Sequence, residues 1–180
     1  MAINSDKSEA LLLSTPHRTK QLASLGLTVV NAAGSSISFG DHFRTLGVVI
    51  DKHLSFDQHM ASVCRSEYYH LKSIRQIRNM LTEDDANTLA CAFVHSKLDY
   101  GNALLYNTSN ENLKKMQRLQ NALARVVKQA PRRSPSLQIL KQLHWLPVKA
   151  RIDFKIASLT YKVLNTGEPV QLRELLKKLF

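Results

Sequence analysis

The sequence predicts an α+β protein, mostly α, with a small β region at the N-terminus and a helical bundle behind it. Two patterns lead there. Up to about residue 54, short apolar or β-branched runs alternate with turn residues, and from Ser55 onward apolar side chains recur at helical spacing. A hydrophobic content of 44% in 180 residues is enough for a real core of one domain, or one and a half small ones.

In the first region, Glu9–Ser14, Leu27–Asn31, Ser36–Phe39 and Leu46–Ile50 read as strands, and Thr15–Gly26 as a short helix. Asn31-Ala32-Ala33-Gly34 and Phe39-Gly40-Asp41 supply turns, and Asp51 reads as a turn residue in Asp51-Lys52-His53. Ser55 with Gln58 has the spacing of a capping box, followed by Met60, Val63, Cys64, Leu71, Ile74, Ile77 and Leu81 on one helical face. A second helix opens at Thr82 and repeats Ala86, Leu89, Ala90, Phe93 and Val94. Its Asp84-Asp85 pair sits where acids complement a helix N-terminus. After a loop from Asp99 to Asn110, a third helix over Glu111–Ala130 buries Leu113, Met116, Leu119, Leu123, Val126 and Val127. Pro131-Arg132-Arg133-Ser134-Pro135 breaks it. A short helix starts at Ser136, a longer one runs from Pro147 to Asn165, and Gly167 and Pro169 end that helix. Gln171–Phe180 reads as a frayed terminal helix.

Several function classes are excluded by composition. No apolar run approaches the ~20 residues of a membrane span, and the first residues lack the basic start and apolar middle of a signal peptide. The expectation is a soluble, intracellular chain, in nucleus or cytoplasm. Cys64 and Cys91 stand far apart and read as reduced, buried thiols. No His, Cys or carboxylate spacing suits a metal, so none is expected.

Charge is distributed unevenly. Residues 1–110 carry 10 Lys+Arg and 10 Asp+Glu, whereas residues 111–180 carry 15 and 4, which is the whole net charge of +11. A polyanionic partner follows, nucleic acid ahead of a membrane surface. Lys114, Arg118, Asn121, Arg125 and Lys128 recur at spacings of 4, 3, 4 and 3 on the third helix, opposite its apolar face, and Arg132-Arg133 extend the stripe. A solvated helix face usually mixes signs, because oppositely charged neighbours stabilise a helix. Unmixed cations suit sequence-independent contacts to nucleic-acid phosphates, the reading set against a merely solvated face.

His144, Trp145 and Pro147 form the most specific segment. Pro147 suits a helix's first turn and pushes Leu146 out of helical geometry, while Trp145 offers a large apolar surface and one N–H in need of an acceptor. These residues read as a packed structural corner between two helices.

The run Leu143-His144-Trp145-Leu146-Pro147-Val148, followed by Arg151-Ile152 and Phe154-Lys155-Ile156, closely resembles the end of the polymerase region in LINE-type (non-LTR, jockey-like) retrotransposon reverse transcriptases. Asn4-Ser5-Asp6-Lys7-Ser8-Glu9 is similar to the segment after that family's catalytic hairpin, with Ser8 where the family usually has Thr. Phe43-Arg44-Thr45-Leu46-Gly47-Val48, with Leu54-Ser55-Phe56 and His59, is similar to its palm-to-thumb junction. Ser96-Lys97-Leu98-Asp99-Tyr100 and Leu104-Leu105-Tyr106 are similar to the loop between thumb helices. The likeness covers roughly residues 3–169 in the family's order.

The resemblance implies a remnant palm edge over 1–54, a helical thumb over 55–169 and a C-terminal tail over 170–180. It implies a segment of an RNA-directed DNA polymerase that holds template–primer nucleic acid with low sequence specificity, and that could also dock on a full-length reverse transcriptase. In the family, the lysine matching Lys7 lies near the departing pyrophosphate, where an ammonium neutralises charge or donates a proton; without a palm around it, Lys7 reads as solvated. The complete enzymes hold two magnesium ions with one upstream Asp and an aromatic-x-Asp-Asp hairpin. Neither precedes Met1 here, so no cofactor, no catalytic residue and no polymerisation by this chain alone are expected. The competing readings are a helical protein–protein interaction module and a retrotransposon remnant without function.

Overall fold

The computed structural model describes residues 8–32 and 34–178, and the chain is α+β and mostly helical. It forms two compact units that divide between Ser62 and Val63. No helix among the described residues is long and apolar enough to cross a membrane.

In the first unit, β1 (Ala10–Leu11) is followed by α1 (Pro16–Ser24), β2 (Val29–Ala32), β3 (Ser35–Gly40), β4 (His42–Thr45) and β5 (Val48–Asp51). β3 is the centre of one sheet, parallel to β1 (Ala10 opposite Phe39) and antiparallel to β2 (Val30 opposite Ile37). β4 and β5 form a separate hairpin, Phe43 opposite Ile50. Two departures from the sequence reading lie here. His42–Thr45 is a strand that weak apolar content hid. Leu46 belongs to the hairpin turn rather than to the following strand: with Gly47 it takes positive φ (45° and 80°), the two-residue turn that matches strand twist.

Asp51 organises the next turn. Its carboxylate accepts from the backbone N–H of His53 (3.0 Å), Ser55 (3.1 Å) and Phe56 (2.7 Å). Partial burial opposes its charge, but the N–H groups of Ser55, Phe56 and His53 prevail and hold the carboxyl below its usual range. The Ser55 hydroxyl accepts from Asp57 N–H at 3.2 Å, and α2 (Asp57–Ile77) starts there.

The second unit contains the rest of α2, then α3 (Glu83–Leu89), a π-turn at Ala90–His95, α4 (Ser96–Asp99), α5 (Asn110–Val127), α6 (Ser136–Gln142), α7 (Val148–Thr166) and α8 (Val170–Lys177). α5 is its axis and packs against α3, α6 and α7. Met116, Leu119, Leu123 and Val127 are wholly buried along one α5 face, each Leu contributing about 1.5–3 kcal/mol by removal from water. The Asp84-Asp85 pair does cap a helix: the Asp85 N–H and the Thr82 hydroxyl form a capping box at the start of α3.

Three residues depart from expectation. Cys64 is buried, but Cys91, in the π-turn, is exposed. Glu67 is 1% exposed, within the apolar stripe of α2. Burial pushes its carboxyl above the usual range, with His70 nearby opposing. Arg78 is also buried. Its guanidinium donates to the carbonyls of Val126 (3.1 Å), Val127 (2.6 Å) and Leu81 (2.7 Å), a cation closing the C-terminus of α5.

Candidate nucleic-acid interface

α5 carries the predicted stripe opposite its buried face, spanning about 21 Å from Lys114 to Lys128 at 1.5 Å rise per residue. Acids do reach both ends of it. Lys114 pairs with Glu111 on the same helix (2.9 Å), and Lys128 pairs with Glu83 of α3 (2.7 Å). The hydrogen bond and charge of Lys114 pull the Glu111 carboxyl below its usual range. The second of these contacts could not be read from spacing, since Glu83 lies 45 residues from Lys128.

The middle and far end differ. Arg118 is exposed, Arg125 is half-buried, and Arg132 and Arg133 are exposed, and none has an ion-pair partner among the described residues. Arg125 is held in place by bonds from Nε to the Ser134 carbonyl (3.2 Å) and from Nη1 to the Asn121 carbonyl (3.3 Å). Arg125 and Arg132 line a groove of about 670 Å³ together with Tyr68 and Arg75 from α2, and with Asn79 and Gln129. No acid lines it. Arg75 is thereby joined to the α5 stripe by packing, not by sequence period. Arg118 lies outside the groove lining.

The groove's end wall is a helix terminus. Lys128 closes α5, Gln129 takes a left-handed φ of 48°, and the N–H groups of Gln129 and Ala130 bond back to Val126 (3.1 Å) and Arg125 (2.9 Å). That reversal, a Schellman motif, turns the chain so that Arg132 comes beside Arg125.

The structural corner is built the same way. His144 is exposed with φ 55°; its N–H bonds Lys141 O (3.1 Å) and the Trp145 N–H bonds Leu140 O (2.8 Å). Trp145 is 6% exposed, stands edge-to-face with His95 at 4.1 Å, and its indole N–H reaches Asn87. Pro147 occupies the N-cap of α7, one position before the first turn where it was expected. The exposed helix end is satisfied from α5 instead: Gln117 Oε1 accepts from Val148 N–H (2.9 Å), and Gln120 Nε2 donates to Leu146 O (2.9 Å). His144, Trp145 and Pro147 thus stand apart from the arginine groove.

Lys7 lies outside the described residues. Asp85 is committed to the Thr82 cap, and no group of three or more His, Cys, Asp or Glu able to hold a metal occurs among the described residues.

Comparison of the chain with models of known protein families, with curated proteins and with solved structures finds no match.

Proposed function

We propose that the helical unit holds the backbone of double-stranded nucleic acid, as the thumb of a LINE-type reverse transcriptase does, and that polymerisation belongs to parts of such an enzyme other than these 180 residues. The resemblance described above suggests the family. The observation that carries the binding role is the groove in which Arg75, Arg125 and Arg132 converge without any acid. Like charges gathered this way repel one another in the free protein, and phosphates relieve that repulsion while releasing counterions. Planar guanidinium groups also match phosphate oxygens two at a time, which an ammonium does not. Contacts from guanidinium groups to phosphates carry no sequence information, so the affinity is expected to be independent of sequence.

The test is the salt dependence of binding to an RNA–DNA hybrid. Arg125→Gln with Arg132→Gln removes two contacts and lowers the slope of log K against log salt by about 2. All hybrid sequences weaken alike. An unchanged slope in a folded double variant would mean that these arginines are only solvated.

A second reading, a docking module for another protein, has one observation in its favour. Leu25 (75% exposed), Leu27, Val29 and Val30 leave apolar surface open on the N-terminal unit. If the arginine variants bind hybrid as well as the parent chain does, that reading takes precedence.

A further inference from the structure

We propose that the helical unit has a second nucleic-acid site, distinct from the arginine groove, that seats an unpaired strand along α7 and takes one base into a pocket at the start of that helix. The inference deepens the nucleic-acid reading above, but stands on different residues.

The pocket measures about 350 Å³, at the small end of the ~300–1,000 Å³ usual for small-molecule sites. Asn102, Asp99, Leu146, Arg151, Phe154 and Lys155 line it, together with His144 of the corner. Asn102 is 4% exposed, and its Oδ1 has no hydrogen-bond partner among the described residues. The amide orientation is set by chemistry: Nδ2 donates to Asp99 Oδ1 at 3.3 Å, and turning the amide over would put two acceptors together. Asp99 is itself held by Arg151, whose other nitrogen stands 3.2 Å from His95 Nδ1. A buried acceptor left unused is costly, and this one sits in the pocket wall, beneath its open surface.

α7 supplies the remaining features. Arg151, Lys155 and Lys162 fall in one column of the helix, at spacings of 4 and 7. Beside that column stand Phe154 and Tyr161, 65% and 70% exposed, also seven residues apart. These aromatics stand in water next to lysines that have no ion-pair partner among the described residues. Together they form the arrangement that binds single strands, in which aromatic faces stack bases while cations follow the phosphates. A base stacked on Phe154 can enter the pocket, with its phosphate toward Lys155. Within a duplex the bases are stacked on one another and present no free face to this site; only its two ends do.

The experiment titrates a fluorescein-labelled deoxyadenylate hexamer and a blunt RNA–DNA hybrid separately into the full chain, following anisotropy. The hexamer is expected to bind saturably, Phe154→Ala and Tyr161→Ala each weakening it by about five- to a hundredfold, while Phe154→Trp retains binding. Lys155→Gln with Lys162→Gln should lower its salt slope by about 1.4. All four positions are exposed, so the variants are expected to fold, and circular dichroism checks this. AMP added to ¹⁵N-labelled protein should move the Asn102 side-chain amide signals. Hexamer affinity unchanged in the Phe154→Ala/Tyr161→Ala double variant overturns the proposal, as does hybrid binding without any saturable hexamer binding. Hexamer binding that depends on these aromatics, without hybrid binding, supports this site and sinks the duplex reading instead.

Discussion

Trp145 Nε1 donates to Asn87 Oδ1 at 3.0 Å across 58 positions of sequence, tying the corner before α7 to the middle of α3. The bond explains why an aromatic with a polar edge stands there. Phe would fill much of the space and leave the Asn87 oxygen without this donor.

Trp145→Ala is accordingly expected to destabilise the chain by about 3–5 kcal/mol, and Trp145→Phe by about 1 kcal/mol through the lost bond. Denaturant unfolding measures both. Native Trp emission should be blue-shifted and resist quenching by iodide; a red-shifted, readily quenched signal would place the ring in water.

Lysines and arginines of the α5 stripe should behave differently. Lys114 and Lys128 already face Glu111 and Glu83, so phosphate binding through them must first give up those pairs. Lys114→Gln with Lys128→Gln is expected to change the salt slope by less than about 1, against about 2 for the Arg125/Arg132 pair. Equal effects would mean that the ion pairs open on binding at no cost.

His95 provides a pH dependence. Burial first, and the Arg151 charge second, push its imidazole down to about 3. In the unfolded chain the ring takes its proton near 6.5. Between those values the unfolded state binds a proton that the folded state refuses, so stability rises with pH there. The contribution is complete above about pH 6.5 and fades as pH falls toward 3, at roughly 1.4 kcal/mol per pH unit at most. His95→Gln should flatten stability against pH over that window; an unaltered slope would show that the ring titrates normally.

Glu67 works in the opposite direction. Its carboxyl is raised by burial, and Oε2 has no hydrogen-bond partner among the described residues. A folded value above the unfolded one favours folding at low pH and opposes it as pH rises through the folded value. Glu67→Gln removes the titrating carboxyl at nearly constant shape. It should raise the melting temperature at neutral pH and leave it little changed in acid. A lower melting temperature at pH 7 would mean that the carboxylate has a stabilising role, and Glu67→Met would then lower it further.

The helical half was legible because its periodicity is strong. The third helix was expected over Glu111–Ala130 and runs over Asn110–Val127, ending where Gln129 reverses the chain. Trp145 beside Pro147 announced a corner, although its acceptor could not be named: Asn87 is remote in sequence. Strand pattern was weaker. Leu46 looked like the start of a strand because a bulky apolar residue rarely takes the left-handed turn conformation that it has here. Arg75 meets Arg125 and Arg132 only across the groove that residues of α2 and α5 both line, which no period records. Buried Glu67 and Arg78 were invisible for a simpler reason, since charge predicts exposure.

The π-turn at Ala90–His95 has a consequence for how residues 96–99 are aimed. Ser96 N–H bonds Cys91 O, five residues back instead of four, so the turn contains one residue more than an α-helix would. Each residue of a helix turns the chain by about 100°. Without that extra residue, Asp99 would point about a quarter-turn away from Arg151, and Asn102 would lose the partner that orients its amide. Deleting Ala92, an exposed alanine within the turn, changes no side chain of the pocket and yet should dismantle it. There the number of residues, and not their chemistry, decides whether the acid meets the guanidinium.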